Sequence, residues 1–109
     1  MELPFANEAV VPEAKLTHYL LSPVHPEGRS KAAFFSRLGF EQARPEPLRQ
    51  ALLQLARTSD MTEIVFTFGR KYVGTGTLTS PNGTRVAVVT VWVLRGNLPP
   101  PMLVTAYPA

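Results

Sequence analysis

The sequence predicts an α+β fold in which N-terminal helices pack on a four-stranded, mostly antiparallel sheet. Three observations carry this. Apolar residues recur at helical spacing up to about Arg57, and with a period of two after Met61. The strand-like runs follow one another with no helical pattern between them, which argues against βαβ units and a parallel sheet. Glycine-containing breaks between those runs read as hairpin turns. A chain of 109 residues buries roughly two thirds of its unfolded surface and makes one core. A single domain over 1–109 is therefore expected, with a helical part over about 12–58 and a sheet part over about 62–108.

Each element has its own signal. Pro12 suits the first turn of a helix, Glu13 suits the helix dipole, and Leu16, Tyr19 and Leu20 form an apolar stripe that ends at Ser22-Pro23. A loop through His25 and Gly28 leads to a second helix over about Ser30 to Leu38, which Gly39 stops. A third helix is expected from about Pro45 to Arg57, with Leu48, Ala51, Leu52 and Leu55 on one face. The runs EIVFTFG, KYVGTGTLTS, TRVAVVTVWVLR and MLVTAY read as strands. Gly69-Arg70-Lys71 and Pro81-Asn82-Gly83 fall where hairpin turns are required. The linker GNLPPP reads as stiff and extended, and the segment NEAVV offers some extra pairing.

Composition removes several function classes. The chain has no cysteine, which excludes disulfides, thiolate zinc sites and cysteine nucleophiles together. No apolar run approaches the roughly 18 residues needed to span a membrane. The opening MELPFANEAVVPEAK, acidic and broken by prolines, resembles neither a signal nor a transit peptide. Net charge is +3 and unevenly spread: from Ile64 onward there are four bases, Arg70, Lys71, Arg85 and Arg95, and no acid. Such a half-chain attracts phosphate or an acidic partner, although solubility control on exposed strands explains it equally well. No metal is expected, because cysteine is absent and the sheet carries no carboxylate after Glu63. No cofactor is expected either, since GTGT lacks the lysine of a nucleotide-binding loop.

The candidate chemistry centres on HPEGRSKAAFF. A loop histidine, His25, is suited to proton transfer near neutral pH. Arg29 and Lys31 would add their charge to the free N–H groups of a helix start and hold an anion; singly, Arg29 pairing with Glu27 and Lys31 lying along its helix explain them. His18, mid-helix, reads as an ordinary exposed residue. Thr105 and Tyr107 of VTAYP lie on one side of a strand, and Thr90 and Trp92 share a face of its neighbour, although a tryptophan among valines is more often core. Arg70 and Lys71 are further candidate phosphate contacts from the acid-free half.

The stretches KLTHYLLSPVHPEGRSKAAFFSRLGF, GRKYVGTGTLTSPNGTRVAVVTVWVL and VTAYP together resemble a small uncharacterised bacterial domain family over residues 11 to 108. Its members occur as stand-alone proteins and as C-terminal segments of larger toxin-like or phage-associated chains. More distantly, helices preceding an antiparallel sheet with a late T-x-Y-P-like strand are similar to ribonuclease toxins of the barnase, EndoU, colicin and RelE class. That likeness implies metal-independent cleavage of RNA in the cytoplasm, whether the chain's own or that of a cell into which a larger chain delivers it. It implies His25 as acid or base, Lys31 and Arg29 as charge stabilisers, Thr105 and Tyr107 as phosphate positioners, and Glu27 or Tyr107 as the second titrating group. It also implies an acidic antitoxin or immunity protein as partner. The competing expectation is a non-enzymatic module whose basic surface binds an acidic protein or RNA.

Overall fold

Pro12 precedes the first helix, α1, which begins as an α-helical turn, Glu13–Lys15, and continues as a π-helix, Leu16–Leu20, in the computed structural model, which describes residues 1–109. The wider winding is closed by the Leu21 amide, which donates to the Leu16 carbonyl at 2.8 Å. Leu16 and Leu20 are fully buried, and Tyr19 between them is only half-buried. The second helix, α2 (Arg29–Arg37), buries Ala32 and Phe35, and Gly39, at φ +98, turns the chain away as expected. The third, α3 (Glu46–Thr58), buries Leu48, Leu52, Leu55 and Ala56, the face its apolar spacing predicts.

The four strands are β1 (Asp60–Phe66), β2 (Gly69–Thr79), β3 (Arg85–Arg95) and β4 (Met102–Pro108). They pair in chain order, β1-β2-β3-β4, antiparallel throughout. The helices form the second layer: α1 and α2 lie against β4, and α3 crosses β2 and β3. The α+β architecture expected from the change of period is the one observed.

Three local readings need correction. Phe66 pairs with Gly69, so the first hairpin turns on Thr67-Phe68, and Arg70 and Lys71 lie inside β2 rather than in the turn. Glycine there serves the strand that leaves the turn. The β3–β4 connection is not uniformly extended, because Gly96 and Asn97 (φ +60 and +58) make a turn before the prolines. Thr90 and Trp92 do share a face, but it is the core: both are fully buried, and the indole Nε1 donates to Thr90 Oγ1 at 2.9 Å. Burial of a tryptophan requires that its N–H find a partner, and the threonine supplies it. The second hairpin turns at Pro81-Asn82-Gly83 as expected, between the paired Thr79 and Arg85. The extra pairing of NEAVV is also present: the Val10 amide donates to the Pro101 carbonyl at 2.9 Å and its carbonyl accepts from the Leu103 amide at 3.0 Å, a parallel bridge on the outer edge of β4.

Candidate functional site

The pairing of β3 with β4 slips between Val91 and Trp92, so that Val91 faces Thr105, Trp92 faces Leu103, and Val104 has no partner. This bulge lies where α1 meets the edge of the sheet. The Tyr19 phenol and Thr105 Oγ1 share a hydrogen bond of 2.9 Å there, fastening the π-wound part of α1 to β4. Both features are local departures from regular structure, and both are frequent at functional sites.

Three groups gather on Tyr19. The His25 ring stands edge-on to the phenol ring with centroids 5.1 Å apart and planes at 77°. The ammonium groups of Lys15 and Lys31 lie 5.2 and 5.4 Å from the centre of the same ring, within cation–π range. The loop carrying His25 reaches this position because Gly28 packs on α1 so closely that an added Cβ would stand 2.2 Å from the Tyr19 carbonyl oxygen. Lys31, one helical turn along, is held by donating to the Glu27 carbonyl at 3.1 Å.

The result is an open cleft of about 640 Å³ lined by Pro12, Lys15, His18, Tyr19, His25, Glu27 and Thr105. Both histidines of the chain line it. His25 Nδ1 accepts hydrogen bonds from the amides of Glu27 and Gly28, each at 3.0 Å. The neutral ring therefore carries its hydrogen on Nε2, the nitrogen left for a ligand. His18 makes no side-chain hydrogen bond, so either of its nitrogens can present a lone pair.

The other expected site residues are placed unequally. Thr105 is in the cleft. Tyr107 is exposed two residues further along β4 and does not line it. Arg29 lines a different groove with Pro23, Ser36 and Gln42. Arg70 and Lys71 are on β2, separated from β4 by the whole of β3, and Arg70 pairs with Glu63 at 3.4 Å. The sequence reads His18 as an ordinary helix residue and Tyr19 as part of an apolar stripe, and it gives Lys15 no role. Their spacing of i, i+3 and i+4 puts them on one helix face, which is the signal that would have found them. Removing the Tyr19–Thr105 tie by Tyr19→Phe is expected to destabilise the fold by about 1 kcal/mol, the net value of one hydrogen bond, as read by urea unfolding.

An α-helical layer on a four-stranded antiparallel meander, with a histidine- and lysine-lined cleft at the helix–edge-strand junction, defines the class of domain. Residues 2–109 match the family described as a domain of unknown function, DUF6883, and the chain belongs to that family. Among solved structures, a chain of a contact-dependent growth inhibition toxin–immunity protein complex from Klebsiella pneumoniae 342 is similar, with a TM-score of 0.70. The match covers 95% of this chain and 96% of that one at 12% sequence identity, a likeness of fold. No curated protein matches the chain. No helix is long and apolar enough to cross a membrane.

Proposed function

We propose that this domain is the toxin member of a toxin–immunity pair and cleaves RNA by acid–base chemistry in the cleft between α1 and β4. The observation that carries the reading is the meeting of both histidines, Lys15, Tyr19 and the Thr105 hydroxyl in one open cleft, with the Lys31 ammonium close to the Tyr19 ring beside it. A net charge of +3 favours a polyanionic substrate over the neutralising role in such a pair. The fold shared with a chain of a growth-inhibition toxin–immunity complex supports the toxin setting, and the cytoplasm is where its RNA would be met.

The chemistry follows from the hydrogen bonding of each ring. His18, with a free lone pair, takes the proton of a ribose 2′-hydroxyl. The 2′-oxygen attacks phosphorus, the bond to the 5′-oxygen breaks, and that leaving oxygen takes the Nε2 proton of His25 in its imidazolium form, which is left as the neutral ring, giving a 2′,3′-cyclic phosphate and a 5′-hydroxyl. Lys15 and Lys31 bring positive charge to the phosphoryl oxygens, whose negative charge grows in the transition state. Thr105 and the Tyr19 phenol position a phosphate oxygen. His25 is a donor at Nε2 in the state described; as an imidazolium its Nδ1–H would part from the Glu27 and Gly28 amides. Proton delivery is thus tied to a small shift of the turn over 25–28. Tyr107, Arg29, Arg70 and Lys71 lie outside the cleft and take no part in bond cleavage, so Tyr107→Phe leaves turnover nearly unchanged.

The test is incubation of the purified protein with total RNA in EDTA. Cleavage to cyclic-phosphate ends supports the proposal. Absence of cleavage by the folded chain on any RNA tried returns the domain to the non-enzymatic binding reading.

A further inference from the structure

We infer that the open edge of β1 is the docking surface for an acidic protein, which adds an extended segment there as a further strand. The inference rests on the toxin half of the proposed function and is independent of the cleavage chemistry.

The two edges of the sheet are unequal. The outer edge of β4 is partly closed by Val10, whereas on β1 only Met61 has an outer partner, Met1. The Met61 amide and carbonyl both point outward to Met1, and antiparallel pairing alternates, so the main-chain groups of Glu63 and Val65 also point outward. Phe66 and Gly69 close the two-residue hairpin in the same alternation. Native sheets usually blunt such an edge, and this one is instead apolar: Ile64, Val65 and Phe68 are 49%, 68% and 74% exposed, with Leu98 of the neighbouring loop 69% exposed.

Charge selects the occupant. Of the four bases in the acid-free half, Arg70, Lys71 and Arg95 gather at this end of the β2–β3 ladder, with Arg95 paired to Gly69, while Arg85 is at the other end opposite Thr79. The only nearby carboxylate, Glu63, is occupied by Arg70 and by the Tyr72 hydroxyl, which donates to it at 3.0 Å. A second copy of the chain would bring Lys71 and Arg95, the cations left without a carboxylate partner, face to face with their own copies. An RNA backbone would leave the apolar side chains unmatched. An acidic protein offering a strand satisfies the main-chain groups, the apolar side chains and the cations together.

The experiment co-expresses the chain with the product of each gene flanking its own, then reads binding and amide hydrogen exchange. An acidic flanking product that binds and slows exchange at Glu63 and Val65 is the expected result. Val65→Pro removes an outward N–H without touching the ladder to β2, and is expected to weaken that binding roughly tenfold or more, the equivalent of about 1.4 kcal/mol. Lys71→Glu is expected to weaken it by a similar factor and to reduce its salt dependence, so the test stands if the proline variant fails to fold. A complex that protects the α1–β4 cleft and not β1, binding of RNA in place of protein at β1, or no complex with any flanking product overturns the inference. Binding at β1 by a chain that cuts no RNA would leave this surface standing and remove only the cleavage mechanism.

Discussion

Alanine at His18 or at His25 is expected to lower RNA cleavage about 100-fold or more, the scale of general acid–base catalysis, with the fold retained. The two losses have different causes. His18→Ala removes the only ring in the cleft with an unengaged lone pair, and no neighbour replaces it. His25→Ala removes the Nε2 donor and also frees the Glu27 and Gly28 amides that its Nδ1 had accepted. Gln at 25 keeps an amide donor without a titrating proton, so His25→Gln separates hydrogen bonding from proton transfer. The two single losses should not add in the double variant, because the proposed mechanism has both rings serve one step. Single-turnover cleavage of a short RNA measures this directly, and equal rates for wild type and His18→Ala would remove His18 from the mechanism.

The largest effect on stability is expected from Trp92→Ala. The indole is fully buried at the centre of β3, opposite Tyr72 on β2 and Leu103 on β4, and is hydrogen-bonded to a buried threonine. Removal leaves a cavity beneath the helical layer and strips Thr90 of its partner, a loss of about 3–5 kcal/mol. Against the roughly 5–15 kcal/mol of a typical domain, that is a large fraction of the total. Guanidinium unfolding should show the midpoint fall; an unchanged midpoint would mean that Trp92 is not the keystone of the core.

Much of the fold is legible in the sequence because its signals are local. The period of two after Met61, the Pro-Asn-Gly turn and the stripe of Leu48, Leu52 and Leu55 each act over a few residues, and no competing pattern overrides them. The sequence places the first hairpin two residues late, because its turn uses Thr67 and an exposed Phe68 while the glycine that marks it opens β2. The candidate site is half legible. Residue type singles out His25, Lys31 and Thr105, and the structure brings them around Tyr19. Exposure on a helix gives His18 no signal in the sequence, yet an open cleft is lined by exposed residues. The spacing puts Tyr19 in the core stripe with Leu16 and Leu20, whereas its phenol reaches Thr105 on β4 from the π-wound part of α1. Arg70 and Lys71 do not line this cleft: they lie on β2, which β3 separates from Thr105 on β4.

The claim that this cleft cuts RNA through the ribose hydroxyl is tested most directly by one substitution in the substrate. An RNA cleaved by the wild-type protein is resynthesised with a 2′-deoxynucleotide on the 5′ side of the cut, and both are incubated in EDTA. The account predicts a 2′,3′-cyclic phosphate from the ribose substrate and no cut at the deoxy position. Cleavage at the deoxy position, or products ending in a 5′-phosphate, would contradict it.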